Sequence, residues 1–237
     1  MPPALHLGPL PLGTRPRVAV PFTDSALRAD VVDLGSRGLD VAELRVDLFG
    51  ACETDAALAV LPVFSGVPKL ATIRHADEGG GWKGSEAERA ALYRALLPHV
   101  DAIDVEVRSE IARDVVGAAR RAGKLAIASF HDFGGTPAPR ALEEVVERGR
   151  ALGADVVKIA AAVAGDRDLR TLARLLLAHE DVGLVVIGMG ERGIASRVLF
   201  PALGSLLTYA AAGTQTAPGQ LPLDELVALL RRLGTLA

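Results

Sequence analysis

Eight short apolar segments recur along the chain, and helical segments lie between them. Near-continuous hydrophobicity of this kind is typical of parallel strands that are covered on both faces. The segments are RVAVPF (17–22), VAELRVD (41–47), KLATIR (69–74), AIDVEV (102–107), LAIASF (125–130), DVVKIA (155–160), GLVVIG (183–188) and SLLTYA (205–210). Eight such units in 237 residues predict an α/β fold, a (β/α)8 barrel that forms one domain over residues 1–237. A doubly wound open sheet is the rival fold, but it usually needs fewer strands.

The helical segments show amphipathic spacing and recognisable start signals. SEAERAALYRALL begins with a capping-box pattern in which Ser85 precedes Glu88 by three residues. DRDLRTLARLLLAH (166–179) and PLDELVALLRRL (222–233) each place leucines on one helix face. A further helix is expected within SALRADVVDLGSRG (25–38).

Composition excludes several classes of function. The net charge is −3 and no run of basic residues occurs, so a nucleic-acid partner is not expected. No apolar run approaches the roughly 20 residues of a transmembrane helix, and the first residues lack the pattern of a secretory signal. Cys52 is the single cysteine, so no intramolecular disulfide is possible. We expect a soluble cytoplasmic protein that has no membrane partner.

Charged residues lie where the predicted strands end, which is where (β/α)8 barrels carry their active sites. Glu43 and Arg45 are two residues apart on the second predicted strand and therefore point to the same side. Arg74, Glu106 and Lys158 occupy comparable positions on other strands. Because an unpaired buried charge is costly, such side chains must pair with one another or bind a polar ligand.

Lys158, one of only four lysines, interrupts the apolar sixth strand DVVKIA. Burial among arginines is expected to push its amine toward the neutral form, because both desolvation and like charge disfavour the cation. A neutral amine is a nucleophile that forms a Schiff base with a ketone or aldehyde. The alternative is a lysine whose stem packs in the core while its head reaches solvent.

His131 follows the fifth predicted strand in SFHDF, and Glu106 is expected on the neighbouring strand. A carboxylate next to an imidazole fixes its tautomer and tunes its basicity, which suits general acid–base catalysis. We therefore predict that Glu106 holds His131. The histidines and acidic residues lack the spacing of a known metal site, so no metal and no other cofactor are predicted.

Two glycine-rich segments resemble nucleotide-binding motifs. Residues 188–193, GMGERG, match the GxGxxG pattern, but no acidic residue follows about 20 positions later as dinucleotide binding requires. A phosphate-binding loop after the seventh barrel strand stays open as an interpretation of this segment. EGGGWKGS (78–85) lacks the frame of a Walker loop and is interpreted as a flexible turn.

The strand-end segments together resemble the type I 3-dehydroquinate dehydratase family. The matching segments are ELRVD (43–47), TIRHADEGG (72–80), IDVEV (103–107), SFHDF (129–133), VKIA (157–160), SR (196–197) and APGQ (217–220). They follow the order of the family over nearly the whole chain. Each segment alone is weak evidence, but their combination on a barrel pattern is specific.

This resemblance implies a lyase reaction of the shikimate pathway of aromatic amino acid biosynthesis, with 3-dehydroquinate as substrate. Lys158 would form an imine with the substrate ketone, and His131 would act as general base and then general acid. Glu106 would tune His131, and Arg197 would bind the substrate carboxylate. Glu43, Arg45 and Arg74 would orient the ring, while Gln220 would close over the site. The family also often forms homodimers.

Two positions depart from the family pattern. Thr216 stands where the family usually has serine before APGQ, and Pro21 replaces a serine at the end of the first strand. Thr216 keeps the hydroxyl and therefore remains a candidate substrate ligand. Two other functions are compatible with such a barrel: a class I Schiff-base aldolase that acts on a phosphosugar, and an inactive barrel that binds a metabolite.

Overall fold

A curled sheet of parallel strands surrounded by helices forms the centre of the structure. The computed structural model describes residues 5–23, 31–50, 52, 54–179 and 183–236. Its strands are β1 (His6–Leu7), β2 (Leu10–Pro11), β3 (Arg17–Phe22), β4 (Val41–Arg45), β5 (Lys69–Thr72), β6 (Ala102–Glu106), β7 (Leu125–Asp132), β8 (Val156–Ala162), β9 (Gly183–Met189), β10 (Leu207–Ala211) and β11 (Leu221–Pro222). Its α-helices are α1 (Val31–Ser36), α2 (Thr54–Val60), α3 (Glu86–Leu96), α4 (Ala112–Arg121), α5 (Pro139–Leu152), α6 (Asp166–Ala178), α7 (Ile194–Ala202) and α8 (Leu223–Arg232).

All eight predicted strands are present, as β3 to β10, and they pair in a cyclic order. The sheet runs β11-β10-β3-β4-β5-β6-β7-β8-β9, and the seven pairs from β10 to β9 are parallel. β9 and β10 approach each other where the Leu206 N–H donates to the Leu184 carbonyl at 2.9 Å. Because β3 pairs with both β4 and the last long strand, the doubly wound alternative is wrong and the barrel prediction is confirmed.

The helix predictions also agree with the structure over the residues that the structure describes. The side chain of Ser85 accepts from the Glu88 N–H, and Glu88 accepts from the Ser85 N–H, so the predicted capping box starts α3. The helix expected over 25–38 is described from Val31 onwards, and residues 25–30 lie outside the described residues. No helix in the described ranges is long and apolar enough to cross a membrane.

Alternate residues of each strand point into the barrel, as the two-residue period of a strand requires. The inward side chains near the start of the strands form an apolar cluster that includes Ala19, Val41 and Leu70. Leu7 lies in the β1–β2 hairpin and Leu12 directly follows it, and both leucines pack in this cluster. The hairpin therefore covers the N-terminal end of the barrel, and the charged inward residues occupy the other end. Sequence reasoning missed this hairpin because its strands have only two residues each.

Candidate active site

One pocket at the C-terminal end of the barrel collects most of the predicted site residues. Its walls include Glu43, Arg45, Arg74, His131, Lys158, Arg197, Thr216 and Gln220. The same walls contain residues that the sequence analysis did not select: Glu78, Phe133, Met189 and Tyr209. Glu106 is the one predicted site residue that does not line this pocket. Within the described residues, no group of three or more histidine, cysteine or acidic side chains could hold a metal ion.

Lys158 is buried at the bottom of the pocket and is held by two carboxylates. Its Nζ donates to Asp104 Oδ2 at 2.9 Å and lies 3.6 Å from Glu43 Oε1. The lysine head therefore does not reach solvent, and the alternative of a solvated strand-end lysine is wrong. β8 places Lys158 next to Ser129 of β7 in the parallel register, so both side chains face the barrel interior.

The charge state of Lys158 differs from the sequence-based prediction. Burial by itself lowers its pKa, but the carboxylates of Asp104 and Glu43 outweigh burial and the nearby Arg74, so the pKa is raised. The prediction of an amine pushed toward its neutral form is therefore wrong. The sequence showed the arginines of the site but did not show that Asp104 contacts the amine directly.

Asp104 binds two buried cations at the centre of the site, Arg74 and Lys158. Its Oδ1 accepts from Arg74 at 2.8 Å and from the hydroxyl of Ser129 at 2.5 Å, while its Oδ2 accepts from Lys158. Burial disfavours the carboxylate, but Arg74 and Lys158 outweigh this effect and lower the pKa of Asp104. Asp104 therefore remains an anion, which fixes the positions of the amine and of the guanidinium.

His131 pairs with Glu78, and the predicted pair with Glu106 does not form. The Nδ1 atom of His131 lies 3.0 Å from Glu78 Oε2, which also accepts from the His131 backbone N–H at 2.8 Å. Burial, together with the positive charges of Arg74 and Lys158, lowers the pKa of His131 well below its usual value. A neutral imidazole that donates from Nδ1 to Glu78 leaves Nε2 free as a base.

Glu106 has a different set of partners. It accepts from Arg89 at 2.7 Å and from the His75 backbone N–H at 2.8 Å, and it lies 3.2 Å from Arg74. The prediction that Glu106 holds His131 is wrong because these three donors occupy its carboxylate. Its contacts fix Arg74 and the start of the loop that carries Glu78.

The loop after β5 carries Glu78 across to His131. A Cβ atom on Gly80 would lie 2.0 Å from the Arg74 carbonyl oxygen, and one on Gly81 would lie 2.2 Å from the Asp47 carbonyl oxygen. The segment EGGGWKGS, which was interpreted as a flexible turn, packs closely against these two backbone carbonyls, and its glycines allow that approach. These glycines directly after an acidic residue were the signal in the sequence that could have identified Glu78.

Arg197 is buried but has no carboxylate partner among the described residues. Its guanidinium donates only to backbone carbonyls, at 3.3 Å to Tyr209 and at 3.0 Å to Pro218, and its Nε has no partner. Burial lowers its pKa to about 10. Arg45 and Arg74, by contrast, are paired with Asp47 and Asp104. A buried cation that lacks an anion is a binding site for an anionic ligand.

The loop after β10 brings Thr216 and Gln220 to the pocket. Gln220 is buried, and its side-chain oxygen accepts from the Thr216 N–H at 2.8 Å. Its side-chain nitrogen donates to the Thr216 hydroxyl at 3.2 Å. The Pro218 carbonyl of the same loop accepts from Arg197 and from the Gly190 N–H. The loop therefore lies over the pocket and positions the arginine.

The GMGERG segment after β9 uses its own backbone donors. The N–H groups of Gly188, Gly190 and Gly193 donate to the Ser196 hydroxyl, the Pro218 carbonyl and the Gly190 carbonyl. A Cβ on Gly193 would lie 2.4 Å from the Gly188 backbone. These glycines allow close packing of strand and helix, and the three amides are not available to cradle a phosphate.

Comparison with known proteins identifies relatives over almost the whole chain. Residues 18–237 match the family model described as type I 3-dehydroquinase. The 3-dehydroquinate dehydratase of Thermodesulfovibrio yellowstonii is 34% identical over 228 residues, which cover 92% of this chain and 96% of that protein. The 3-dehydroquinate dehydratase of Methanothrix thermoacetophila is 36% identical, with 92% and 94% of the two chains covered.

Solved structures give the same result. The crystal structure of 3-dehydroquinate dehydratase from Geobacillus kaustophilus superposes with a TM-score of 0.90 at 26% identity, covering 100% of this chain and 98% of that chain. The type I enzyme from Clostridium difficile, which was solved with covalently modified comenic acid, superposes with a TM-score of 0.89 at 29% identity. That alignment covers 98% of each chain.

Arg197 has no carboxylate partner among the described residues and Arg74 has two, so we predict effects of different size when each is replaced. We expect Arg197→Met to change the free energy of unfolding by less than about 1 kcal/mol, since it removes a cation that no carboxylate balances. Arg74→Met should cost about 3 kcal/mol, because Asp104 and Glu106 lose a buried cation. Urea denaturation of both variants measures the difference, and an equal loss in the two would contradict this view of Arg197.

Proposed function

The chain belongs to the type I 3-dehydroquinase family, and from this premise we propose that it eliminates water from 3-dehydroquinate to give 3-dehydroshikimate in the shikimate pathway. The observation that carries the proposal is the pocket in which Lys158, the His131–Glu78 pair and the unpaired Arg197 meet. These groups match what a substrate with a ketone, a removable proton and a carboxylate requires.

Lys158 supplies the nucleophile in this proposal. Asp104 and Glu43 hold the resting side chain as an ammonium ion, so it must lose a proton before it attacks the C3 ketone. Addition of the amine to the ketone, followed by loss of water, gives a protonated imine whose nitrogen bears a positive charge. This charge draws electrons from C2 and makes the C2 hydrogen acidic.

His131 moves the protons of the elimination. Its Nε2 removes the C2 proton, and the resulting imidazolium then protonates the C1 hydroxyl, which leaves as water. Glu78 accepts from Nδ1 at 3.0 Å, keeps the ring oriented and stabilises the imidazolium. Glu106 supports the same pair indirectly, through Arg74 and the loop that carries Glu78.

The arginines and the loop after β10 hold the substrate. Arg197 binds the carboxylate, because a guanidinium offers two parallel donors to the two oxygens of that group. Glu43, Arg45 and Arg74 orient the ring and its hydroxyls. Thr216 and Gln220 cover the pocket, so the imine is protected from water until the product forms.

The aldolase alternative finds less support in the pocket. A phosphosugar needs a phosphate site, and the glycine amides of the GMGERG segment, at Gly188, Gly190 and Gly193, donate to other groups of the protein. Among the described residues that line the pocket, Arg197 has no carboxylate partner, and its single guanidinium suits a carboxylate. The inactive-barrel alternative is countered by the presence of the complete set of Lys158, His131 and Glu78.

We further propose a cytoplasmic homodimer. Cys52 is the single cysteine of the sequence, so no intramolecular disulfide forms, which agrees with a reducing compartment. Four exposed leucines lie on or at the ends of α7 and α8, which pack against each other: Leu199, Leu203, Leu229 and Leu233. Exposed apolar side chains in one region favour contact with a second copy.

Borohydride reduction tests the imine directly. Addition of borohydride with 3-dehydroquinate should give a mass adduct, and peptide mapping should place it on Lys158. Lys69, Lys83 and Lys124 serve as internal controls and should stay unmodified. Substrate that binds without giving an adduct on Lys158 would exclude the Schiff-base mechanism.

The pH dependence of the rate tests the role of Glu78. Burial raises the pKa of Glu78 to about 7, so its carboxylate gains a proton as the pH falls below that value. We expect kcat/KM to rise with pH through an inflection near pH 7. Glu78→Gln should remove this inflection and lower the rate roughly a hundredfold.

Glu143→Gln is the matched control for this measurement. Glu143 forms a histidine–carboxylate pair with His179 at 2.6 Å, and neither side chain lines the pocket. This variant should retain both the rate and the inflection. An inflection near pH 7 that persists in Glu78→Gln would show that another group titrates.

Light scattering tests the proposed dimer. The unsubstituted protein should have twice the mass of one chain, and a double Leu199→Lys and Leu229→Lys variant should shift toward one chain mass because the charges oppose apolar contact. A single-chain mass for the unsubstituted protein at high concentration would contradict the proposal.

A further inference from the structure

Tyr93 and Tyr209, the only tyrosines of the chain, are both buried but differ in their hydrogen bonds. The Tyr93 hydroxyl donates to the Asp104 carbonyl at 2.6 Å and accepts from the Ile73 N–H at 3.1 Å. The Tyr209 hydroxyl has no partner in the described part of the chain. A buried hydroxyl without a partner is costly, so its presence in the pocket needs an explanation.

Tyr209 lies directly beside the amine of the proposed mechanism. Its side chain lines the pocket, and Lys158 Nζ lies over its ring at 4.5 Å from the centroid. The amine donates to Asp104 at 2.9 Å and lies close enough to the phenol to act on its pKa. The Tyr209 backbone carbonyl accepts from Arg197, so β10 places this residue between the two cations of the site.

We propose that Tyr209 is a further catalytic residue, whose hydroxyl donates a hydrogen bond to the substrate oxygen on the carbon that Lys158 attacks. This inference rests on the proposed function, because it assigns a group to the Schiff-base step. The oxygen on that carbon lies close to Nζ throughout the step. Because the Tyr209 ring lies next to Nζ, its hydroxyl can reach this substrate oxygen.

The chemistry of the step explains why a donor is useful there. As Nζ bonds to the ketone carbon, the electron pair of the C=O double bond moves onto oxygen, which gains negative charge. The proton released by nitrogen then passes to this oxygen, and the hydroxyl so formed takes a second proton and leaves as water. A positioned donor stabilises the charge that develops on the oxygen.

The environment keeps Tyr209 in the donor form. Burial and the carboxylates of Glu43 and Asp104 raise its pKa, and this outweighs the opposite effect of Lys158. The phenol is therefore neutral throughout the working pH range. The same hydrogen bond can orient the water that hydrolyses the product imine, since that water attacks the same carbon.

The competing explanation is that Tyr209 only fills space. Its ring belongs to the apolar cluster that fills the barrel and includes Leu207 and Ile187. Phenylalanine would fill this space equally well and would remove the unpaired hydroxyl. The two explanations therefore predict different effects for Tyr209→Phe on the rate of imine formation.

The experiment compares Tyr209→Phe with Tyr93→Phe in the full chain. Rapid mixing with 3-dehydroquinate followed by a borohydride quench measures the rate at which the Lys158 adduct forms. Steady-state kinetics give kcat and KM, and thermal unfolding gives Tm. Tyr93→Phe is the control, since it removes a phenol whose hydrogen bonds are satisfied within the protein.

Tyr209→Phe should slow adduct formation and kcat at least about tenfold, while KM changes by less than about twofold. Its Tm should stay within about 1 °C of the unsubstituted protein or rise, because the lost hydroxyl had no partner. Tyr93→Phe should lower Tm by about 3 °C or more and leave the rate of adduct formation within about twofold.

Two results would overturn the inference. If Tyr209→Phe forms the adduct at the unsubstituted rate, the hydroxyl has no part in the step and the residue only fills space. If the unsubstituted protein forms no substrate-dependent adduct, the Schiff-base proposal fails and the role of Tyr209 fails with it. The first result leaves the proposed dehydratase function intact, so the two failures are distinguishable.

Discussion

The buried carboxylate of Asp104 is the interaction on which the site depends. It binds Lys158 through one oxygen and Arg74 and Ser129 through the other. Because desolvated cations are stable only next to an anion, removal of Asp104 would leave both cations without their main partner. Asp104 thus permits a lysine in the barrel interior and sets its resting charge. In the proposed mechanism, the ammonium ion of Lys158 must therefore lose a proton before it can attack the substrate.

The buried arginines of the site differ in their partners. Arg45, Arg74 and Arg89 each contact an aspartate or glutamate, whereas Arg197 donates only to carbonyl oxygens. Within the described ranges, Arg197 is therefore a buried positive charge of the site that no carboxylate neutralises. In the proposed function, the carboxylate of the substrate supplies the missing negative charge.

Glycines position the site by allowing backbone segments to touch. Gly80 and Gly81 let the loop after β5 pack against Arg74 and Asp47, which carries Glu78 to His131. Gly188 and Gly193 allow α7 to approach β9, which places Arg197 at the pocket wall. Both segments resembled nucleotide-binding loops in sequence. In these segments and in nucleotide-binding loops alike, glycine allows a close approach that a Cβ atom would block. Nucleotide-binding loops differ because their backbone amides remain free to bind phosphate.

The barrel and most of the pocket residues could be predicted from the sequence. Continuous apolar strands predicted a parallel sheet, and the two-residue period of a strand placed Glu43, Arg45 and Lys158 on its inner side. The tertiary structure decided which charges meet. Glu78 replaced Glu106 as the partner of His131, because the path of a loop sets that contact and strand periodicity does not describe loops. Asp104 reversed the expected pKa shift of Lys158, and Arg197 received no carboxylate partner among the described residues. Both outcomes depend on distances of a few ångströms between segments that are far apart in the chain, which the sequence does not give.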